Sequence, residues 1–222
     1  MMTLPLFAVY GASGCGRGVM PLARAQLLRE GIAASRLVFV DDQSDAVLVN
    51  GHAVLLYEKF LQVAASSRHI VVAIANSAVR ELLAERCIAD DVNPWTVAAS
   101  NLVVMDDVTI GEGAALSPFV TITSNIRIGR HFHANLYSYV EHDCVIGDFV
   151  TFGPSAKCNG NVVIEDHAYI GSGAVIKQGK PGRPLVIGRG AVVGMGAVVT
   201  RDVPAGATVV GNPARAMRPK KE

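Results

Sequence analysis

The chain reads as a small α/β domain with a mainly parallel sheet, followed by an all-β solenoid of very short strands. Three observations point there. Residues 1–90 alternate short β-branched runs with apolar residues at helical spacing. From residue 98 onward an apolar residue recurs at every sixth position. A second, often small residue follows four places after each of these markers.

In the front part, LFAVY (6–10), LVFVDD (37–42) and IVVAIA (70–75) have the composition of buried strands. Between and after them, VMPLARAQLLRE (19–30), YEKFLQVAAS (57–66) and NSAVRELLAER (76–86) carry helical apolar spacing. Strand–helix alternation of this kind builds a parallel sheet flanked by helices. The GASGCG turn, Gly11 to Gly16, joins the first strand to the first helix, where backbone N–H groups and a helix N-terminus suit a phosphate. Its spacing is not that of a dinucleotide GxGxxG, and ninety residues supply only half a dinucleotide fold, which argues against hydride transfer. Asp41-Asp42 closes the second strand, where an acid commonly accepts from a ribose or a base. Asn76 and Arg80, at the third strand–helix junction, are candidate diphosphate contacts.

After Asn93-Pro94 the pattern changes, giving domain boundaries of 1–90 and 91–217 with a short tail at 218–222. The markers run from Ala98 and Val104 through Ile110, Leu116 and Ile122 to Ile176 without a break. They resume at Ile187, Val193, Val199 and Ala205 after a five-residue slip within KQGKPGRPLV. A helix cannot keep a period of six on one face, and a flat sheet has a period of two. A solenoid of short strands satisfies it, with markers inside and small residues at tight corners. Gly111, Gly129, Gly147, Gly153, Gly171, Gly188 and Gly194 follow markers directly, where glycine is expected to relieve backbone strain.

Composition removes several function classes. A formal charge of +1 gives no electrostatic case for nucleic acid or an anionic membrane surface. The start of the chain lacks a basic segment followed by a long apolar one, so no signal peptide is expected. Apolar runs such as HIVVAIA are too short to span a bilayer. Cys15, Cys87, Cys144 and Cys158 lack CxxC spacing, the pattern of reduced thiols in a soluble cytoplasmic protein.

Hexads such as IGDFVT, IGSGAV and VGMGAV, with the ending VVGNPAR, resemble those of the left-handed β-helix acyltransferases. With GASGCG in front and EHDCVIGD in the middle, the chain is similar to one branch of them. That branch holds the sialic acid O-acetyltransferases and the bacterial nucleotide-sugar N-acetyltransferases that finish 4-amino sugars such as bacillosamine and perosamine. The resemblance covers nearly the whole chain. It implies the left hand of the helix, a homotrimer, acetyl-CoA as cosubstrate and no metal. The acceptor it implies is the amino group of a nucleotide-linked sugar, GDP-perosamine in the first instance. Sialic-acid-type O-acetylation is the alternative enzyme, and a non-catalytic nucleotide-sugar-binding scaffold is the alternative of another class.

The resemblance also assigns residues. Three hexads form one triangular coil, so residues 18 apart stack about 4.8 Å apart. His142 then stands over Gly160, pairing an imidazole base with an unshielded backbone N–H, as acyl transfer from a thioester requires. HDC (142–144) matches the family's H-[ED]-C triplet, which makes His142 the general base, Asp143 its orienting partner and Gly160 the donor to the thioester carbonyl. Asn135 matches a family asparagine near the base. On its own a histidine on a solenoid is more often plain surface, and Glu141 reads as a solvated carboxylate. Ser13, Gly14, Cys15 and the Asp41-Asp42 pair match the segment that holds the nucleotide sugar. Gly160, Ser172, Gly194 and Met195 match positions along the acetyl-CoA groove, with Thr151 where relatives often carry a second histidine. Arg215, and Lys177, Lys180 and Arg183 in the slipped segment, are candidates for the donor's phosphates, against the plainer reading of solvated charges. A zinc site does not assemble in one subunit: His131 and His167 share a column but stand two coils apart, beyond the reach of a single ion.

Overall fold

The computed structural model describes residues 4–217, so the tail at 218–222 lies outside the described residues. The chain forms two compact units, Met1–Ser100 with Glu112–Ala115, and Asn101–Gly111 with Leu116–Glu222.

The first unit is an α/β layer. Strands β1 (Leu6–Tyr10), β2 (Leu37–Val40), β3 (Leu48–Val49), β4 (His52–Leu55), β5 (Arg68–Val72) and β6 (Asn93–Pro94) form one sheet in the order β3-β4-β2-β1-β5-β6. All pairs are parallel except the β3–β4 hairpin. That hairpin is absent from the sequence reading, although Asn50-Gly51, with φ of 49° and 80°, is the usual chemistry of a two-residue hairpin turn. Helices α1 (Gly14–Arg29), α2 (Tyr57–Gln62) and α3 (Ser77–Ala89) follow β1, β4 and β5. The apolar residues of β1 and β2 and one face of α1 meet in a core containing Phe7, Val9, Met20, Leu27, Phe39 and Trp95.

The second unit is a left-handed parallel β-helix. Face I stacks His133–Ala134, Thr151–Phe152, Tyr169–Ile170, Val192–Val193 and Thr208–Val210. Face II stacks Val103–Val104, Thr121–Ile122, Tyr139–Val140, Lys157–Cys158, Val175–Ile176 and Val198–Val199. Face III stacks Val108–Ile110, Ile126–Ile128, Val145–Ile146, Val162–Ile164 and Leu185–Ile187. The register joins residues 18 apart, Thr121 to Tyr139 to Lys157 on face II for example. Markers from Leu116 to Val199 are buried, and Phe132 meets Phe152 edge-on inside at 5.2 Å between ring centroids.

The two ends depart from the sequence reading. Val104 is 44% exposed, and Ala205 is exposed rather than interior. Val203 and Val209 fill the last coil, with Val203 bridged to Ile187 and Val209 paired with Val193. The final coil is therefore two residues shorter than the regular 18-residue coil.

The glycine expectation is also corrected. Glycines that follow markers have no positive φ. They are needed because a Cβ at Gly111, Gly153 or Gly171 would come within 2.7 Å of the next coil's backbone. The left-handed residue stands two places further on, at Phe119, Asn125, His131, Tyr137, Asp143, Phe149, Ser155, Asn161 and His167, with φ between 52° and 61°.

The shortened coil has a direct test by chemical denaturation. Ala205→Asp should stay within about 0.5 kcal/mol of the parent, as exposed substitutions do. Val203→Asp should lose more than about 3 kcal/mol by placing a charge in an apolar interior. The opposite ranking would restore the unbroken six-residue register.

Candidate active site

His142 follows the face II strand Tyr139–Val140 and precedes the face III strand Val145–Ile146, so it stands at the II/III corner. Stacking of successive coils fixes its level. The Asp143 N–H donates to the Ser124 carbonyl at 3.1 Å, and the Asn161 N–H donates to the His142 carbonyl at 2.9 Å. The imidazole lies flat against Gly160. A Cβ at Gly160 would fall 2.5 Å from Cε1 and Nε2 of the ring, so only glycine leaves the ring its place. The Gly160 N–H donates to no acceptor among the described residues, while its carbonyl accepts from the Gly179 N–H at 3.0 Å.

Asp143 sits at a left-handed corner, φ 58°, a conformation that aspartate tolerates better than most residues. Its Oδ2 lies 2.7 Å from Nδ1 of His142. An ionised carboxylate only accepts, so Nδ1 carries the proton and the Nε2 lone pair is left open. The bond to Asp143 raises the His142 pKa above its ordinary value. The same bond, joined by one from Asn125, holds the Asp143 carboxyl below its own. Asn125 Nδ2 donates to Asp143 Oδ1 at 3.2 Å. Sequence reasoning missed Asn125, although it stands one coil below Asp143. Cys144, third residue of the triplet, is buried, its thiol directed to the carbonyls of Asn159 and His142.

The candidates for the acyl donor stand elsewhere on the helix. Asn135, Gly153, Gly171-Ser172 and Gly194-Met195 form one column at the I/II corner, where a Cβ at Gly171 would meet the Met195 N at 2.6 Å. Ser172 is exposed and Met195 is 82% exposed. Thr151 lies on face I beside His133 and Tyr169, and both Thr151 and His133 are buried within the chain. Within one chain, then, Asn135 is not brought to His142; the two occupy different corners. Arg215 lies exposed on the last short strand, its guanidinium bonded to the Ala214 carbonyl.

In the first unit, Ser13 caps α1 through its carbonyl alone, and its side chain makes no capping bond. The first-turn N–H groups, those of Gly14 and Cys15 among them, have no partner within the helix, as at any helix start. Gly16 is required there, since its Cβ would collide with the Gly11 carbonyl. Asp41 locks this turn by accepting from the Ala12 N–H at 2.7 Å and from the Gln43 N–H at 2.9 Å. Asp42 stays solvent-accessible while its carboxylate accepts from the Tyr10 hydroxyl at 2.6 Å and the Tyr57 N–H at 2.8 Å, with Arg86 at 3.2 Å. Partial burial alone would raise its pKa, but these donors hold it below the usual value.

One expectation in this unit is corrected. Arg80 is fully buried and donates to the Ile74 carbonyl at 2.7 Å, with its pKa lowered to about 10 by that burial. It supports the turn from beneath and does not reach a diphosphate at the surface. The Asn76 side chain caps α3, accepting from the Val79 N–H at 3.1 Å. Nothing in the spacing around Arg80 distinguishes an inward from an outward guanidinium, so its burial was not legible.

His131 and His167 share a column, but the Phe149 ring lies between them, stacked at 5.0 and 5.4 Å between centroids. Among the described residues no group of three or more His, Cys, Asp or Glu is placed to hold a metal ion.

Comparison with known proteins agrees with this architecture. Residues 7–87 match the PglD N-terminal domain family, and residues 143–178 match the bacterial transferase hexapeptide (six repeats) family. The chain is 55% identical over 213 residues to a GDP-perosamine N-acetyltransferase of Escherichia coli O157:H7, covering 96% of both chains. The structure of WeeI from Acinetobacter baumannii AYE shares 56% identity with a TM-score of 0.93, over 96% of this chain and 100% of that one. The acetyltransferase domain of PglB from Neisseria gonorrhoeae FA1090, solved in complex with acetyl coenzyme A, shares 29% identity with a TM-score of 0.84, over 97% and 100%. With a PglD-type front domain, a hexapeptide β-helix and this degree of likeness along nearly its whole length, the chain belongs to the hexapeptide-repeat acetyltransferases that include GDP-perosamine N-acetyltransferase.

Proposed function

We propose that the protein transfers the acetyl group of acetyl-CoA to the amino group of a nucleotide-linked 4-amino-6-deoxy sugar, GDP-perosamine being the acceptor best supported. The product would serve surface-polysaccharide synthesis, of the kind that builds an O-antigen. The likeness to a GDP-perosamine N-acetyltransferase over 96% of both chains supports the acceptor. One observation carries the chemistry: the imidazole of His142, tied to Asp143 through Nδ1, lies against the one glycine that leaves it room.

In this reading Nε2 of His142 takes a proton from the attacking amine as nitrogen adds to the thioester carbonyl. The Gly160 N–H meets the charge growing on the carbonyl oxygen. Asp143 stabilises the imidazolium, which then protonates the departing CoA thiolate, leaving an amide and a free thiol. Asn125 and Asp143 are positioning residues. Ser13, Gly14, Cys15 and Asp41 supply affinity for the nucleotide, and Asp42 acts on that turn through its internal bonds. The donor lies along the I/II corner at Ser172, Gly194 and Met195, with Thr151 and Asn135 beside it. We further infer a homotrimer, because the proposed base and the proposed donor contacts stand at different corners of one coil and a neighbouring copy can unite them. We also infer a cytoplasmic location, in keeping with the proposed use of acetyl-CoA; no described helix is long and apolar enough to cross a membrane.

The reading is tested by mass-spectrometric assay of acetyl-CoA with GDP-perosamine and other nucleotide amino sugars. Mass gain of one acetyl group on GDP-perosamine is expected; gain only on a hydroxyl sugar would replace it with the O-acetylating alternative. His142→Ala should lower kcat/KM by about 10²–10⁴-fold, the usual worth of a positioned base. Near-normal turnover would remove His142 from the mechanism.

The pH profile gives a second check. Because Asp143 raises the His142 pKa, the activity limb lost on acidification should fall above the unperturbed value of about 6.5. Asp143→Asn should move that limb to lower pH while reducing turnover less than His142→Ala does. A limb unmoved in both variants belongs to the substrate amine.

Light scattering should return three copies of the 23.4 kDa chain. A fully active monomer would contradict the shared-site arrangement.

A further inference from the structure

We infer that the buried thiols of Cys144 and Cys158 are positioning residues that aim the Gly160 N–H at the reacting thioester carbonyl; the inference rests on the role proposed above for that N–H. Both thiols meet one peptide group. Cys144 Sγ donates to the Asn159 carbonyl at 3.4 Å, and Cys158 Sγ donates to the same oxygen at 3.7 Å. Both side chains are fully buried, so this carbonyl points into the interior of the β-helix. A trans peptide holds its C=O and N–H on opposite sides. The N–H across the Asn159–Gly160 bond therefore points away from the interior, toward the corner where the His142 ring lies against Gly160.

The backbone ladder does not hold this group. On either side of it, the Asn159 N–H donates to the Ile176 carbonyl at 3.3 Å, and the Gly160 carbonyl accepts from the Gly179 N–H at 3.0 Å. The Asn159 carbonyl between them accepts from no backbone N–H among the described residues. A carbonyl in a dry interior needs a donor. Thiols are weak donors, but these two reach the oxygen where no water competes. The Asn159 side chain is fixed separately, its Oδ1 accepting from the Tyr139 hydroxyl at 2.8 Å.

Packing alone does not call for sulfur here. Register places Ile126 and Val162 on either side of Cys144, and Val140 and Ile176 on either side of Cys158. Branched aliphatic side chains thus fill the same sites in the adjoining coils. The other two cysteines of the chain, Cys15 and Cys87, belong to the first unit. Within the β-helix, thiols stand only where the chain passes from His142 to Gly160.

Two double variants of the full-length protein separate aiming from packing. Cys144→Val/Cys158→Val gives this coil the kind of side chain its neighbours carry and removes both donors. Cys144→Ser/Cys158→Ser keeps a donor at each site but puts hydroxyls in an apolar interior. The probe is acetyl-CoA isotopically labelled at its carbonyl carbon, bound without an acceptor. The reading is the infrared stretch of the thioester carbonyl, which a hydrogen-bond donor lowers. In the parent the band should lie below that of free acetyl-CoA. The valine pair should return it toward the free value and lower kcat by about tenfold or more, part of the roughly 10²–10³-fold that a lost oxyanion donor costs. The acidic limb of its pH profile should not move, because the bond between His142 and Asp143 is untouched. The serine pair should keep both the lowered band and the parent's turnover. If the valine pair does not fold, Cys158→Val and Cys158→Ser give the same comparison at one site. A valine variant with the parent's band and turnover would overturn the inference. So would the ranking that packing alone produces, an active valine variant and an impaired serine one. A parent band that does not shift on binding would remove Gly160 from the proposed reaction, and the thiols' role with it.

Discussion

Once in every six residues the second unit must bend its backbone into the left-handed region, and the rest of the β-helix depends on that bend. At Phe119, Tyr137 and Phe149 a bulky side chain takes this conformation, at a cost of about 1–2 kcal/mol each. The ladders of parallel strands on all three faces offset it, because each coil donates and accepts along its full length with the coils on either side. Corner geometry and ladder together leave one register, 18 residues per coil. Everything at the candidate active site follows from it. His142 meets Gly160 because they share a column, Asn125 meets Asp143 for the same reason, and Asp143 can be an acid at all because aspartate accepts a left-handed corner.

The same register separates the proposed base from the proposed donor contacts. His142 and Gly160 occupy the II/III corner, whereas Ser172, Gly194 and Met195 occupy the I/II corner. A triangular coil cannot fold one corner onto another. The proposed trimer is the arrangement that removes this conflict, and it gives the exposed Met195 side chain a surface to meet. The slipped segment joins the II/III corner instead, resting on Gly160 and Asn161.

Much of this was legible in the sequence because a period of six has a single structural solution here. The apolar markers report the interior from Leu116 to Val199, and the 18-residue arithmetic alone places His142 over Gly160. Applied once more to Asp143, that arithmetic would have found Asn125. Other features were not legible because they depend on depth or on local competition. The last coil trades Ala205 for Val203, a choice made by which residue fills the interior. Arg80 looks like a surface cation in sequence but turns inward to carbonyl oxygens beneath the glycine turn. The marker glycines are fixed by the approach of the neighbouring coil, a contact 18 residues away, and not by their own φ.

In the proposed mechanism His142 works because Gly160 leaves its imidazole a place against the backbone, and Gly160→Ala removes that place. The new methyl group would fall within 2.5 Å of Cε1 and Nε2, and the ring, being the end of a flexible side chain, would swing aside at little cost to the fold. The unfolding midpoint should stay unchanged while kcat falls by about 10²-fold or more, as expected for a displaced base. Full activity in a folded Gly160→Ala protein would contradict it.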